Sequence, residues 1–149
     1  MERYKPNVTV ACVIKSQDKY LMVEELIDDQ LQYNQPAGHL EPNESLIDAC
    51  QREVLEETGI ELTPQSLLGI YQFQASSEQA FLRFTYFCEL ESCPIPKPQD
   101  KVINQALWLS YAEIKVLAPQ LRSPLVLHCI DDHLSGKQFS AEIVNCQFL

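Results

Sequence analysis

From Val8 to Ile14 the chain is almost continuously apolar, and beyond the polar turn Ser16-Gln17-Asp18 a second such run occupies Lys19 to Glu24. Two apolar runs joined by a short polar turn predict a β-hairpin with both strands buried. Leu31 to Gln35 predicts a short strand that leads into Pro36-Ala37-Gly38. Leu67 to Gln74 and Ala80 to Leu90 predict another antiparallel pair, the second member long and rich in aromatics. The prolines at 94, 96 and 98 make Cys93 to Pro98 a loop, because proline cannot donate within a ladder. Ala106 to Leu109 resumes a strand around Trp108, and Phe139 to Phe148 is expected to return as a last strand. Helices are expected over Tyr111 to Leu117 and Ser123 to Leu134, the latter opening on Ser123-Pro124 and closing at Gly136. Mixed strands with a few helices describe a layered α+β domain.

Length and composition narrow this picture. With 149 residues the chain is expected to form one domain, residues 1–149, large enough to bury a substantial core. Hydrophobic residues make up 46 % and charged ones 21 %, which predicts a globular, soluble protein. No apolar run approaches a membrane span, and the opening MERYKPNVTV lacks a signal-peptide pattern, so a cytoplasmic home is expected. The six cysteines show no C-x-x-C pairing and mostly lie in apolar runs, as buried thiols do. A net charge of −10 argues against nucleic-acid polymers and anionic membranes as partners and is consistent with a monomer. It also disfavours an anionic substrate unless bound divalent cations reverse the sign locally.

The chemistry concentrates in one stretch, GHLEPNESLIDACQREVLEETGI, from Gly38 to Ile60. Asn43 or Ser45 can cap a helix start, with Asp48 completing a capping box to Ser45, and Gly59 stands where a helix must end in a left-handed turn. At about 100° per residue, Glu53, Glu56 and Glu57 fall on one side of that helix. Leu46, Ala49 and Cys50 lie on nearly the same side, so a face that begins apolar ends charged. Like charges so placed repel. Cations between them relieve the repulsion, and hard oxygen donors without Cys or His suit Mg²⁺ or Mn²⁺ over zinc. Magnesium commonly shares its sphere with substrate phosphate, which points to phosphate ester or anhydride chemistry.

The spacing Gly38, five residues, Glu44, seven residues, Arg52-Glu53-Val54, one residue, Glu56-Glu57, one residue, Gly59-Ile60 resembles the Nudix box with every fixed position filled. Further pieces similar to small bacterial phosphatases of that family are PNVTVACVI at 6–14, NQPAGHLE at 34–41, FLRF at 81–84 and LRSPLV at 121–126. One departure is Ala37, where many members carry a second glycine. The resemblance implies an α/β/α sandwich with a mixed sheet and metal-dependent hydrolysis of pyrophosphate linkages. It also implies substrates among nucleoside tri- and diphosphates, with release of inorganic phosphate, and extends to thiamine diphosphate and hydroxymethylpyrimidine diphosphate. The competing readings are a hydrolase of another nucleoside-diphosphate-linked or oxidised nucleotide and a nucleotide-sensing domain without catalysis; the sensor would be expected to have lost acids from the box, and all four glutamates stand.

Carried over by position, Glu53, Glu56 and Glu57 match metal-binding acids, Glu53 also matching the base that activates water. Gly38 matches the loop glycine whose carbonyl joins the metal sphere, which makes the stretch around 37–39 an expected loop. Arg52 matches the arginine that orients a carboxylate, either Glu53 or Glu44. Glu44 is otherwise a helix-start acid favoured by the dipole. Outside the box, Asp100 is a candidate acid from a later loop, or a surface turn residue. Arg83 and Arg122 are candidates for phosphate, Tyr33 and Phe81 for stacking on a ring, and His39 for a supporting hydrogen bond, each with an ordinary structural role as the alternative.

Overall fold

The computed structural model describes all of residues 1–149. Strands β1 (Asn7–Ser16) and β2 (Lys19–Ile27) form the expected hairpin, but they pair only at Lys15 with Tyr20 and Ser16 with Lys19. Beyond that the two strands part. The freed edge of β1 takes β4 (Ala37–His39), with Val10 opposite Gly38 and Ala11 opposite Ala37, while the freed edge of β2 takes β3 (Gln30–Asn34). On its other edge β1 runs parallel to β6 (Ala80–Glu89), which pairs antiparallel with β5 (Ser66–Gln74). On the other edge of β2 lies β7 (Ile103–Ser110), antiparallel. The seven strands thus make one mixed sheet that forks at the base of the first hairpin.

Both faces of the forked sheet are covered. Helix α1 (Leu46–Thr58) lies on one face, where Ala49, Cys50 and Val54 pack with Val10, Cys12, Ile14, Tyr86 and Cys88. Helices α2 (Tyr111–Val116) and α3 (Leu125–Leu134) cover the other, where Ile114, Val126, Cys129 and Ile130 meet Val13, Met22, Leu68 and Phe87. Alternate residues of β1 point to opposite faces, so a strand that is apolar at nearly every position must have a helix on each side. Each fully buried aliphatic side chain contributes about 1.5–3 kcal/mol relative to exposure, so covering both faces is what holds the layers together. The expected α+β sandwich is what the chain forms.

Two expectations are corrected. Phe139 to Phe148 is not a strand: only Phe139 pairs, exchanging backbone hydrogen bonds of 2.8 and 2.9 Å with Leu67 at the edge of β5. Ser140 then accepts from the Glu142 amide at 3.2 Å, starting a 3₁₀ turn at Ala141–Ile143 that lays Ala141 and Val144 on the core beneath α1. The segment 37–39, expected as a loop, is strand β4; a three-residue strand is too short to show any alternation. The α1 caps are close to expectation. Ser45 accepts from the Asp48 amide at 3.1 Å, which is half of a capping box, and Gly59 closes the helix at φ 73°. No helix is long and apolar enough to cross a membrane.

Candidate active site

The site begins with the spacing of α1. Ala49, Cys50 and Val54 face the sheet, and the same face continued by one turn carries Glu53 and Glu57, which are drawn in with it. Glu57 is only 6 % exposed. Its Oε1 accepts from the Ala37 amide of β4 at 2.9 Å, its single hydrogen bond, and no cation pairs with it. Burial pushes its carboxyl up to about 8, and the neighbouring charges of Glu53, Glu25 and Asp100 push the same way. Glu53 packs against Gly38 so closely that a Cβ there would stand 2.1 Å from its carboxyl carbon. Any side chain at 38 would therefore displace the Glu53 carboxylate. Burial also raises the Glu53 carboxyl, and Arg52 opposes the rise.

Arg52 answers both possibilities left by the sequence. Its Nε and Nη2 grip Glu44 at 3.0 and 2.8 Å, its Nη1 reaches Glu53 at 2.8 Å and Glu56 at 3.4 Å, and its Nη2 also donates to the His39 carbonyl at 3.0 Å. Glu44, which also accepts from the Glu41 amide at 2.7 Å, is an arginine partner, and the Arg52 hydrogen bonds hold its carboxyl below the ordinary range. The expected convergence of Glu53, Glu56 and Glu57 is looser than foreseen. No three acidic, histidine or cysteine side chains stand close enough together to hold a metal ion as they are. Arg52 lies beside Glu53 and Glu56, and Glu57 turns to β4 instead. The donor set nonetheless suits a hard divalent cation: buried carboxylate oxygens with no basic partner at Glu57, beside the backbone of Ala37 and Gly38.

On the far side of β4 opens a cavity of about 360 Å³. Gly38, His39, Phe81, Arg83 and Arg122 line it, so five candidates separated by up to 84 positions share one wall system. Phe81 stacks on Phe73 at 5.0 Å, Arg83 donates from Nε to Thr9 Oγ1 at 3.1 Å, and Arg122 pairs with Glu25 at 3.3 Å. Asp100 stays outside this cavity but close to α1. The proline loop docks on the helix end through the Gln99 and Asp100 amides, both 2.8 Å from the Glu56 carbonyl, and the Asp100 carboxylate caps its own turn at Val102.

Tyr33 is corrected outright. It is 8 % exposed in the core, and its hydroxyl donates to Glu24 at 2.7 Å, so it has no free face for a ligand ring. That bond pushes the Tyr33 hydroxyl up to about 12. Glu25, which lines the cavity and whose charge acts on Glu57, is the residue the sequence did not single out. Its signal was there. Two adjacent acids interrupt an apolar strand, and since successive strand residues point to opposite faces, Glu24 enters a buried network and Glu25 reaches the cavity.

Similarity to known proteins agrees with this geometry. The sequence profile of the NUDIX domain matches residues 3–127. The chain is 43 % identical over 141 residues to Phosphatase NudJ of Escherichia coli strain K12, covering 95 % of this chain and 92 % of that one. Among solved structures, a NUDIX hydrolase from Nitrosomonas europaea superposes with a TM-score of 0.88 at 46 % identity, covering 95 % and 97 % of the two chains. The NUDIX domain of Shewanella oneidensis NrtR, crystallised with ADP ribose, shares the fold at a TM-score of 0.74 and 16 % identity, covering 89 % of each chain. A forked mixed sheet closed by helices on both faces is thus shared with solved members of one family, whose profile spans most of this sequence, and the chain belongs to that family as a Nudix hydrolase.

Proposed function

We propose that this hydrolase cleaves the pyrophosphate linkage of nucleoside tri- and diphosphates in the presence of Mg²⁺ or Mn²⁺, releasing inorganic phosphate, and that thiamine diphosphate and hydroxymethylpyrimidine diphosphate fall within the same chemistry. The observation that carries the reading is the division of groups across β4. Acids with raised carboxyl pKa stand behind Ala37 and Gly38, and two arginines line the cavity in front of them. The phosphatase name of the Escherichia coli relative supports inorganic phosphate as the product.

Glu53, Glu56, Glu57 and the Gly38 carbonyl are the groups that would hold the cation. A divalent cation there supplies Lewis-acid polarisation of a phosphate oxygen and lowers the pKa of a bound water. Glu53, its carboxylate fixed by Arg52 and pressed on Gly38, is placed to accept the proton of the attacking water. Arg83 and Arg122 hold phosphate oxygens in the cavity, and half-burial of Arg83 strengthens its contact. No covalent intermediate on the protein is needed.

The test is product analysis with Mg²⁺ and a panel of nucleoside tri- and diphosphates, dinucleotides and thiamine diphosphate. Phosphate release from the first group that falls by about 10²-fold or more in Glu53→Gln supports the reading. Binding without product, or near-normal turnover by Glu53→Gln, refutes it.

A further inference from the structure

Arg83 differs from the other arginines of the site in having no carboxylate. Arg52 contacts Glu41, Glu44, Glu53 and Glu56, and Arg122 contacts Glu25, whereas Arg83 forms no ion pair at all. Its only hydrogen bond is from Nε to Thr9 Oγ1 at 3.1 Å. The guanidinium lies over the Phe73 ring, 5.4 Å from its centroid, and Phe73 is backed in turn by the stacked ring of Phe81. The register explains the arrangement: Thr9 is the β1 partner of Arg83, and Phe73 faces Phe81 one alternation along. Both terminal nitrogens, four N–H donors, are thereby left without a partner in a half-buried cavity. A desolvated cation with unused donors is costly unless an anion completes it. Although the chain carries a net charge of −10, no carboxylate of it lies within ion-pair distance of Arg83. Arg122 lines the same cavity, on a segment bonded to β3, and lies near enough for its charge to oppose that of Arg83.

From this geometry we infer that Arg83, set in place by Thr9 and Phe73, forms with Arg122 a seat for the terminal, doubly ionised phosphate of the substrate, and so selects pyrophosphates ending in a free phosphate over those capped by a second sugar. A terminal phosphate carries about −1.5 to −2 near pH 7, while a capped one carries a single charge, so two cations discriminate between them. The inference rests on the proposed hydrolysis and deepens it. Arg83 and Arg122 touch the substrate; Thr9 is a positioning residue that acts through Arg83.

ADP and ADP-ribose test it as a matched pair, because adding water across the P–O–P bridge gives AMP from both, with inorganic phosphate from the first and ribose phosphate from the second. Chromatographic AMP formation with Mg²⁺ is measured for the wild type, Arg83→Gln, Thr9→Val and Thr9→Ser, each first checked for an unchanged melting temperature. The wild type is expected to favour ADP by at least about 10-fold in kcat/KM. Arg83→Gln should lose about 10- to 100-fold on ADP and little on ADP-ribose, Thr9→Val should lose part of the preference, and Thr9→Ser should keep it. Equal use of both compounds by the wild type, or equal loss on both in Arg83→Gln, overturns the inference. Should neither compound be cleaved, the proposed hydrolysis falls, and calorimetric binding to the metal-free protein still decides this point. A wild-type preference for ADP that Arg83→Gln abolishes upholds the seat; indifference of the wild type removes it.

Discussion

Glu57 gives the sharpest physical prediction, since the same burial that suits it to a cation makes it a liability without one. A carboxyl moved from 4.5 to about 8 prefers its neutral form in the fold by about 5 kcal/mol. The folded value lies above the unfolded one, so the stability it favours is complete below about 4.5 and is lost as pH rises through about 8. The metal-free enzyme should therefore weaken between pH 5 and pH 9. Glu57→Gln keeps the carbonyl that accepts from Ala37 and removes the charge. Water and side-chain relaxation reduce the ceiling, leaving an expected gain of about 2–3 kcal/mol at pH 9, or about 5–10 °C in melting temperature for a chain of this size. At pH 5 the two proteins should melt within about 2 °C of each other. Added Mg²⁺ at pH 9 should raise the wild type and not the variant. The assay is scanning calorimetry of chelator-treated protein from pH 5 to pH 9, with and without Mg²⁺. A variant that melts lower than the wild type at pH 9, or by the same margin at every pH, would refute the assignment of an uncompensated buried charge.

Three further outcomes follow from single contacts. Gly38→Ala should preserve the overall fold but displace the Glu53 carboxylate, lowering kcat by about 10²-fold, since a Cβ would stand 2.1 Å from it; unchanged turnover would remove the steric argument. Arg52→Lys, which cannot span Glu44, Glu53 and the His39 carbonyl together, should cost about 10- to 100-fold in kcat and raise KM for Mg²⁺, and an unaltered metal titration would count against its orienting role. Tyr33→Phe strips one donor from Glu24, which is 3 % exposed, and should cost about 1–2 kcal/mol in urea denaturation with kcat intact. A loss of activity without a loss of stability would restore Tyr33 to the substrate.

How far the sequence could be read depended on how local each signal was. The box helix was legible because its caps, its apolar start and its acids all fall within Gly38 to Ile60, and the strands were legible where they ran long enough to show a period. Strand β4 was not, because three residues beside a proline have no period, although they carry the contacts of both Glu53 and Glu57. Tyr33 and Phe81 looked alike as strand aromatics, and only pairing partners separate them: Glu24 takes the first into the core, while Phe73 holds the second at the cavity. Glu25 was hidden for a similar reason, since which face of β2 opens onto a cavity is decided by the strands and turns around it. Arg83 was visible as an alternating strand residue, but its lack of a counter-ion is a fact of three dimensions.

Because β1 and β2 part after two pairs, the strands that frame the hollow beside Gly38 are held in hydrogen-bonded ladders, and the turns at 75–79 and 122–123 complete its rim. The strand-borne part of the lining is ordered during folding, so that part of the ordering a flexible enzyme would complete upon capture is already done. The lining can then be altered one side chain at a time, changing which molecule is accepted, without disturbing the helix that carries the acids.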